Sequence, residues 1–169
     1  MVGQYEDFFI ASAGASAAIL GLLVVAVSVV NADDANPTTR ELRTVLAGSA
    51  FVALVDIFFV SILALTGGSV VLGISSLAMA AVGLLATRRL VPRAKRARNF
   101  SRGLRTRNLN IAFAVFSVAS YSAQLGLAAA LLANTRATAL EHALVLVIVA
   151  LYCSALSRTW VVTGITRRV

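Results

Sequence analysis

Asp56 stands between Val55 and Ile57, near the middle of a long apolar stretch. A charged residue at that depth in hydrocarbon costs about 2.5–3.5 kcal/mol on insertion scales, so something must compensate it. A proton on the carboxyl, contact with water, or a nearby cation would each do so. Arg158 is the one basic residue inside another apolar stretch. At the helical rise per residue, Asp56 falls about 18 Å from the inner end of its helix and Arg158 about 12 Å from the inner end of its own. An arginine side chain spans such a gap. The pair therefore offers two chemistries: a buried ion pair that fixes helix register, or a charged lining for a permeation or proton path.

A second group lies between them in sequence. Ser117, Ser120, Tyr121 and Gln124 are spaced i, i+3, i+4 and i+7, which puts them on one helix face, with Ser122 off it. Interhelical hydrogen bonds explain such a face without a ligand; a polar lining for a water-filled route is the sharper reading. Ser154, four residues before Arg158, would continue that lining.

Enzyme chemistry has little to work with. The single histidine, His142, and the single cysteine, Cys153, are eleven residues apart, about three helical turns, too far for a catalytic hydrogen bond within one helix. His142 and its neighbour Glu141 read as residues at a helix start, with pH sensing as the sharper alternative. A lone cysteine makes neither an intrachain disulfide nor a structural zinc site. No phosphate-cradling glycine loop, paired-carboxylate motif or metal-ligand cluster is present in the sequence, so neither an enzyme, a metal nor a cofactor is expected.

The elements that position these residues follow from composition. Of 169 residues, 59% are hydrophobic and 13% charged, which leaves too little polar side chain to cover a water-soluble domain. Five apolar stretches, 8–30, 45–65, 69–87, 111–133 and 143–165, each approach the roughly 20 residues a helix needs to cross a bilayer. The expected fold is an all-α, multi-pass transmembrane bundle of five spans in a single domain. The first stretch is expected to be a retained span rather than a signal peptide, because Glu6 and Asp7 precede it where a secretory leader is basic. Thr66, Gly67 and Gly68 separate the second and third spans, which predicts an antiparallel hairpin; a buried hairpin that does not fully cross is the alternative.

Charge sets the orientation. The net charge is +8, and the linker 88–110 alone carries nine basic residues and no acid. The positive-inside rule places that linker, the linker with Arg40 and Arg43, and Arg167 and Arg168 in the cytoplasm with the N-terminus outside. The tally is thirteen basic residues inside against Arg136 outside. Within the linker, Leu90, Ala94, Ala97, Phe100 and Leu104 recur at helical spacing, and Pro92 suits a first helical turn. This predicts a basic amphipathic helix on the inner leaflet, with Arg93, Lys95, Arg96, Arg98, Arg102 and Arg105 against anionic headgroups, or else a solvated loop that only fixes topology. Nucleic acid is not an expected partner. Trp160 fits an interfacial anchor.

Membrane helices pack through small residues. The first span carries Ala11, Gly14, Ala18, Gly21, Val25 and Ser28 at heptad spacing, and the third carries Ser69, Gly73, Ser76, Ala80, Gly83 and Thr87. Packing within one bundle accounts for either seam. Two seams and a polar face in so small a bundle point further, to a homo-oligomer.

The run from Ala13 to Ser28, Ala-Gly-Ala-Ser-Ala-Ala-Ile-Leu-Gly-Leu-Leu-Val-Val-Ala-Val-Ser, resembles the opening of a family of small, uncharacterised bacterial integral membrane proteins. The resemblance covers about the first 30 residues of the chain. It implies a bacterial inner-membrane protein and carries no activity with it. Two functions are expected from the residues themselves. One is an oligomeric channel or small transporter with a polar path near Asp56 and Arg158. The other is a non-catalytic scaffold or accessory subunit that binds a partner membrane protein or anionic lipid.

Overall fold

The computed structural model describes residues 2–33, 37–100, 104–135 and 137–164. It is all-α: a short 3-10 turn, Val2–Tyr5, leads into α1 (Glu6–Asp33), α2 (Pro37–Phe100), α3 (Leu104–Ala133) and α4 (Thr138–Gly164). Glu6 and Asp7 in the first turn of α1 complement the positive end of the helix dipole. All four helices are long and apolar enough to cross a membrane. No strand occurs among the described residues.

The second and third spans expected from sequence belong to one helical element, so four helices are found where five separate spans are predicted. That element, α2, is not straight. Its backbone leaves helical geometry at Gly67 (φ −154°, ψ 17°) and Gly68 (φ 69°, ψ −160°). The positive φ at Gly68 is one that side chains rarely tolerate, which is why a glycine stands there. The two arms, 37–66 and 69–100, fold back on each other. A continuous helix would hold Asp56 and Ser76 about 30 Å apart, yet the single amide of Gln124 reaches the Asp56 carboxylate at 3.0 Å and the Ser76 carbonyl at 3.4 Å.

Beyond the second arm the chain departs from expectation. Pro92 lies well inside α2 rather than in the first turn of a new helix, and the helix continues to Phe100. Apolar residues at helical spacing persist to that point, and the next glycine is Gly103. The basic segment is thus divided between the end of α2 and the start of α3. The side chains of 90–110, including Arg93, Lys95, Arg96, Arg98, Arg102 and Arg105, lie outside the described residues, as do Arg136, Arg167 and Arg168.

Two apolar clusters form the core. One joins Phe9, Ile57, Val60, Leu72, Tyr121, Leu131, Leu144, Ile148 and Leu151. The other joins Leu23, Leu46, Ala50, Leu54, Ala155 and Val162. Polar residues fall at the boundary: buried Ser16 between Phe9 and Leu23 on α1, Asp56 between Leu54 and Ile57 on α2, and Ser154 between Leu151 and Ala155 on α4. Each helix therefore carries its polar groups into the middle of the bundle, where only other protein groups can satisfy them.

The two small-residue seams have different fates. Gly73, Ser76, Ala80 and Gly83 are buried against α3. A methyl group on Gly83 would lie 2.4 Å from the Tyr121 ring, and one on Gly73 would lie 2.8 Å from Leu132. The seam on α1 turns outward instead: Ala11, Gly14, Ala18, Gly21, Val25 and Ser28 are all exposed. Gly14 and Gly21 have open space where a methyl would stand. The face of α1 that packs inward carries Phe9, Ser16 and Leu23.

This contrast predicts opposite outcomes for the same substitution. Gly83→Ala forces the buried Tyr121 ring to move and should destabilise the bundle by about 1–3 kcal/mol, as overpacking does. Gly14→Ala should leave it unchanged or stabilise it by up to about 1 kcal/mol through helix propensity. Thermal unfolding of the two variants in the same detergent checks the ordering; equal losses would contradict the placement of the seams.

Candidate polar core

Three polar layers lie inside the bundle. At the end where the Gly67–Gly68 turn meets the start of α4, the Ser69 hydroxyl donates to the Glu141 carboxylate. Glu141, in the first turn of α4, is buried, while its neighbour His142 is exposed. The His142 Nδ1 lies 2.7 Å from the Thr138 carbonyl, and its ring meets Tyr5 edge-on at 5.3 Å. These contacts join the chain's N-terminal turn, the hairpin turn and α4 at one end.

The middle layer is built on Asp56, Gln124 and Ser76, one from each arm of α2 and one from α3. All three are fully buried. The Gln124 Nε2 donates to Asp56 Oδ1 at 3.0 Å and, more weakly, to the Ser76 carbonyl at 3.4 Å. Both partners are acceptors, so the amide orientation is the one the chemistry requires; turned over, it would set oxygen against oxygen. What remains is unusual for an interior. Asp56 Oδ2, Gln124 Oε1 and Ser76 Oγ have no hydrogen-bond partner, and neither does the buried Ser61 Oγ.

The third layer surrounds Arg158, which is 2% exposed. Its Nη2 donates to Ser117 Oγ at 2.6 Å, to Ser154 Oγ at 2.8 Å and to the Phe113 carbonyl at 3.2 Å. Its guanidinium carbon lies 5.3 Å from the centre of the Phe113 ring, within cation–π range. Ser117 in turn donates to the Phe113 carbonyl.

Asp56 and Arg158, expected as a buried ion pair, do not pair. Each takes its contacts from other groups: the carboxylate from Gln124, the guanidinium from Ser117, Ser154 and Phe113. The reason is register on α3. Gln124 and Ser117 are seven residues apart, about 10 Å along the helix, and each holds one charge at its own level. Tyr121, buried between those levels, is within electrostatic reach of both.

The face Ser117, Ser120, Tyr121 and Gln124 is buried throughout, and Ser122 is exposed. It brings together Asp56, Ser76, Ser154 and Arg158, each predicted from sequence but not as two separate layers. Three participants were missed. Glu141 is near the end of its span, where a carboxylate is unremarkable. Ser61 and Ser16 are serines in apolar helices, which commonly bond to the preceding turn, as Ser16 does to the Ser12 and Ala13 carbonyls. Arg43, expected in a cytoplasmic linker, is also buried, at 5% exposure.

Surface cavities lie elsewhere. One of about 300 Å³ between α1 and α4 is lined by Phe8, Ala11, Ser12, Ile148, Tyr152 and Cys153, among others. Another, between the arms of α2, is lined by residues that include Phe51, Val82 and Arg89. Neither is lined by Asp56 or Arg158. His142 and Cys153 do not come together, since both lie on α4 about three turns apart. Among the described residues, no group of three His, Cys, Asp or Glu side chains is placed to hold a metal ion.

Compared with known proteins, the chain matches no family model, no curated protein and no solved structure.

The arginine layer yields a direct test. Ser117→Ala removes a hydrogen bond to a charged group and should cost about 1.5–3 kcal/mol, whereas Ser122→Ala, on the exposed face, should cost nothing measurable. Denaturation of both variants in detergent measures the difference. If the two behave alike, Ser117 does not hold Arg158.

Proposed function

We propose that the chain is a small ion-conducting or ion-coupled transport protein of a bacterial inner membrane, crossing the bilayer five times and assembling as a homo-oligomer. Both arms of α2 cross, with the Gly67–Gly68 turn at the outer face. The N-terminus is outside, and the basic segment and C-terminus are cytoplasmic, against anionic lipid. Asp56 is the charge that selects the permeant species, and Arg158 is held apart from it by α3.

The observation that carries this reading is the unpaired Asp56. An intramembrane carboxylate that served only assembly would be expected to meet the one arginine buried in a neighbouring span. Here the arginine's Nη2 bonds two serines and a carbonyl, and one atom of each charged group, Arg158 Nε and Asp56 Oδ2, is left without a partner. Retaining such a group at the cost of stability is the usual mark of an ion or proton pathway in membrane proteins. The polar layers are enclosed by packed side chains, which favours a gated or carrier-type mechanism over a standing open pore.

Purified protein in liposomes should pass protons or small cations, and Asp56→Asn should reduce that flux at least tenfold while leaving expression and oligomeric state intact. Wild-type flux in the variant would remove Asp56 from the mechanism. Orientation is checked separately: cysteines introduced at position 66 should react with an impermeant thiol reagent on intact cells, and those introduced at 102 should not.

A second reading rests on its own observation. The small-residue face of α1 is entirely outward, with open space at Gly14 and Gly21. Such a face allows close backbone approach by another helix and suits an accessory subunit bound to a partner membrane protein. Stoichiometric co-purification of a partner, with no flux from the isolated chain, selects that reading.

A further inference from the structure

We infer that Asp56, Gln124 and Ser76 together bind one sodium ion; this rests on the reading of Asp56 as the ion-selecting charge and names the ion. Three oxygens in this layer lack partners: Asp56 Oδ2, Gln124 Oε1 and Ser76 Oγ. They belong to residues that the Gln124 amide ties together through the Asp56 carboxylate and the Ser76 backbone carbonyl, and all three residues are fully buried. The group contains one potential negative charge and an excess of acceptors over donors.

Three occupants are to be compared. A proton on Asp56 would remove the charge and make Oδ2 a donor to one acceptor at most, so at least one of the Gln124 and Ser76 oxygens would stay unsatisfied. A buried water would satisfy the oxygens, which offer the two to four polar partners a buried water needs. It would leave the carboxylate's charge in a low-dielectric interior with no counter-charge, because Arg158 is bonded elsewhere. A monovalent metal cation meets both demands: it accepts electron density from all three oxygens and neutralises the single carboxylate. A divalent ion would leave a net positive charge in the same interior. Among monovalent ions, the close packing of three fully buried side chains favours sodium over the larger potassium.

The test uses the full-length protein in lipid nanodiscs at constant ionic strength, with choline chloride exchanged for sodium chloride or potassium chloride. Sodium should raise the Tm in a saturable way, by about 5–10 °C at a concentration one hundred times its Kd. Potassium should do so far less. Asp56→Asn and Ser76→Ala should each reduce the sodium response to a small fraction, with Ser122→Ala unaffected. A Tm indifferent to sodium, an equal rise with potassium, or an undiminished response in both Asp56→Asn and Ser76→Ala would each overturn the assignment. Flux measured on the same preparations separates this inference from the transport reading. Sodium-dependent stability without flux keeps the site and removes transport. Asp56-dependent flux without any sodium effect on Tm keeps transport and removes the site.

Discussion

The Gln124 side-chain amide is the contact on which the arrangement of the bundle turns. It is the group that meets both arms of α2 from α3, and it does so with one nitrogen, at 3.0 Å to Asp56 and 3.4 Å to the Ser76 carbonyl. In a hydrocarbon surround, helices gain little from burying apolar side chains against one another, so directional polar contacts and close packing decide their register. A glutamine on α3 at any other turn would leave Asp56 without a donor and the hairpin without a tie. Its position therefore constrains the angle at Gly67–Gly68, the level at which the arms face each other, and the depth of the carboxylate.

Close packing completes what the hydrogen bonds begin. Gly83 lets the second arm approach α3 until its backbone touches the Tyr121 ring, and Gly73 does the same against Leu132. Tyr121 is buried on α3 between Ser117 and Gln124. The two buried charges are held at separate levels of α3 rather than joined. Removing one partner of a buried ion pair leaves an uncompensated charge; this bundle carries that condition in its native state, with Asp56 Oδ2 and Arg158 Nε both without a hydrogen-bond partner. Arg158 is surrounded by three oxygens and the face of Phe113, an arrangement that stabilises a guanidinium without an anion.

The outward surfaces speak to assembly rather than chemistry. α1 contributes a narrow inward stripe and presents its glycines to the surroundings, whereas the second arm of α2 spends its glycines inside. The same sequence device thus has two uses in one chain. Its inner use holds the polar layers at fixed spacing, and its outer use suits a second helix at close range.

Sequence alone determined the all-α class, the apolar lengths that suit a membrane and the break at Gly67–Gly68, because these depend on composition and on residues close in the chain. It also marked Asp56, Arg158 and the Ser117–Gln124 face, since an ionisable or polar residue in an apolar run is costly wherever the run packs. It did not show that Gln124, rather than Arg158, would meet Asp56, nor that Glu141 and Arg43 would be buried. Nor did it show which of two similar glycine seams would turn inward. Those outcomes depend on the relative rotation and depth of separate helices. A shift of one turn, about 5.4 Å, changes every polar partner while leaving each helix's own pattern untouched. Only the tertiary structure chooses among such registers, because the choice is made by hydrogen bonds and steric contacts between residues 38 to 72 positions apart.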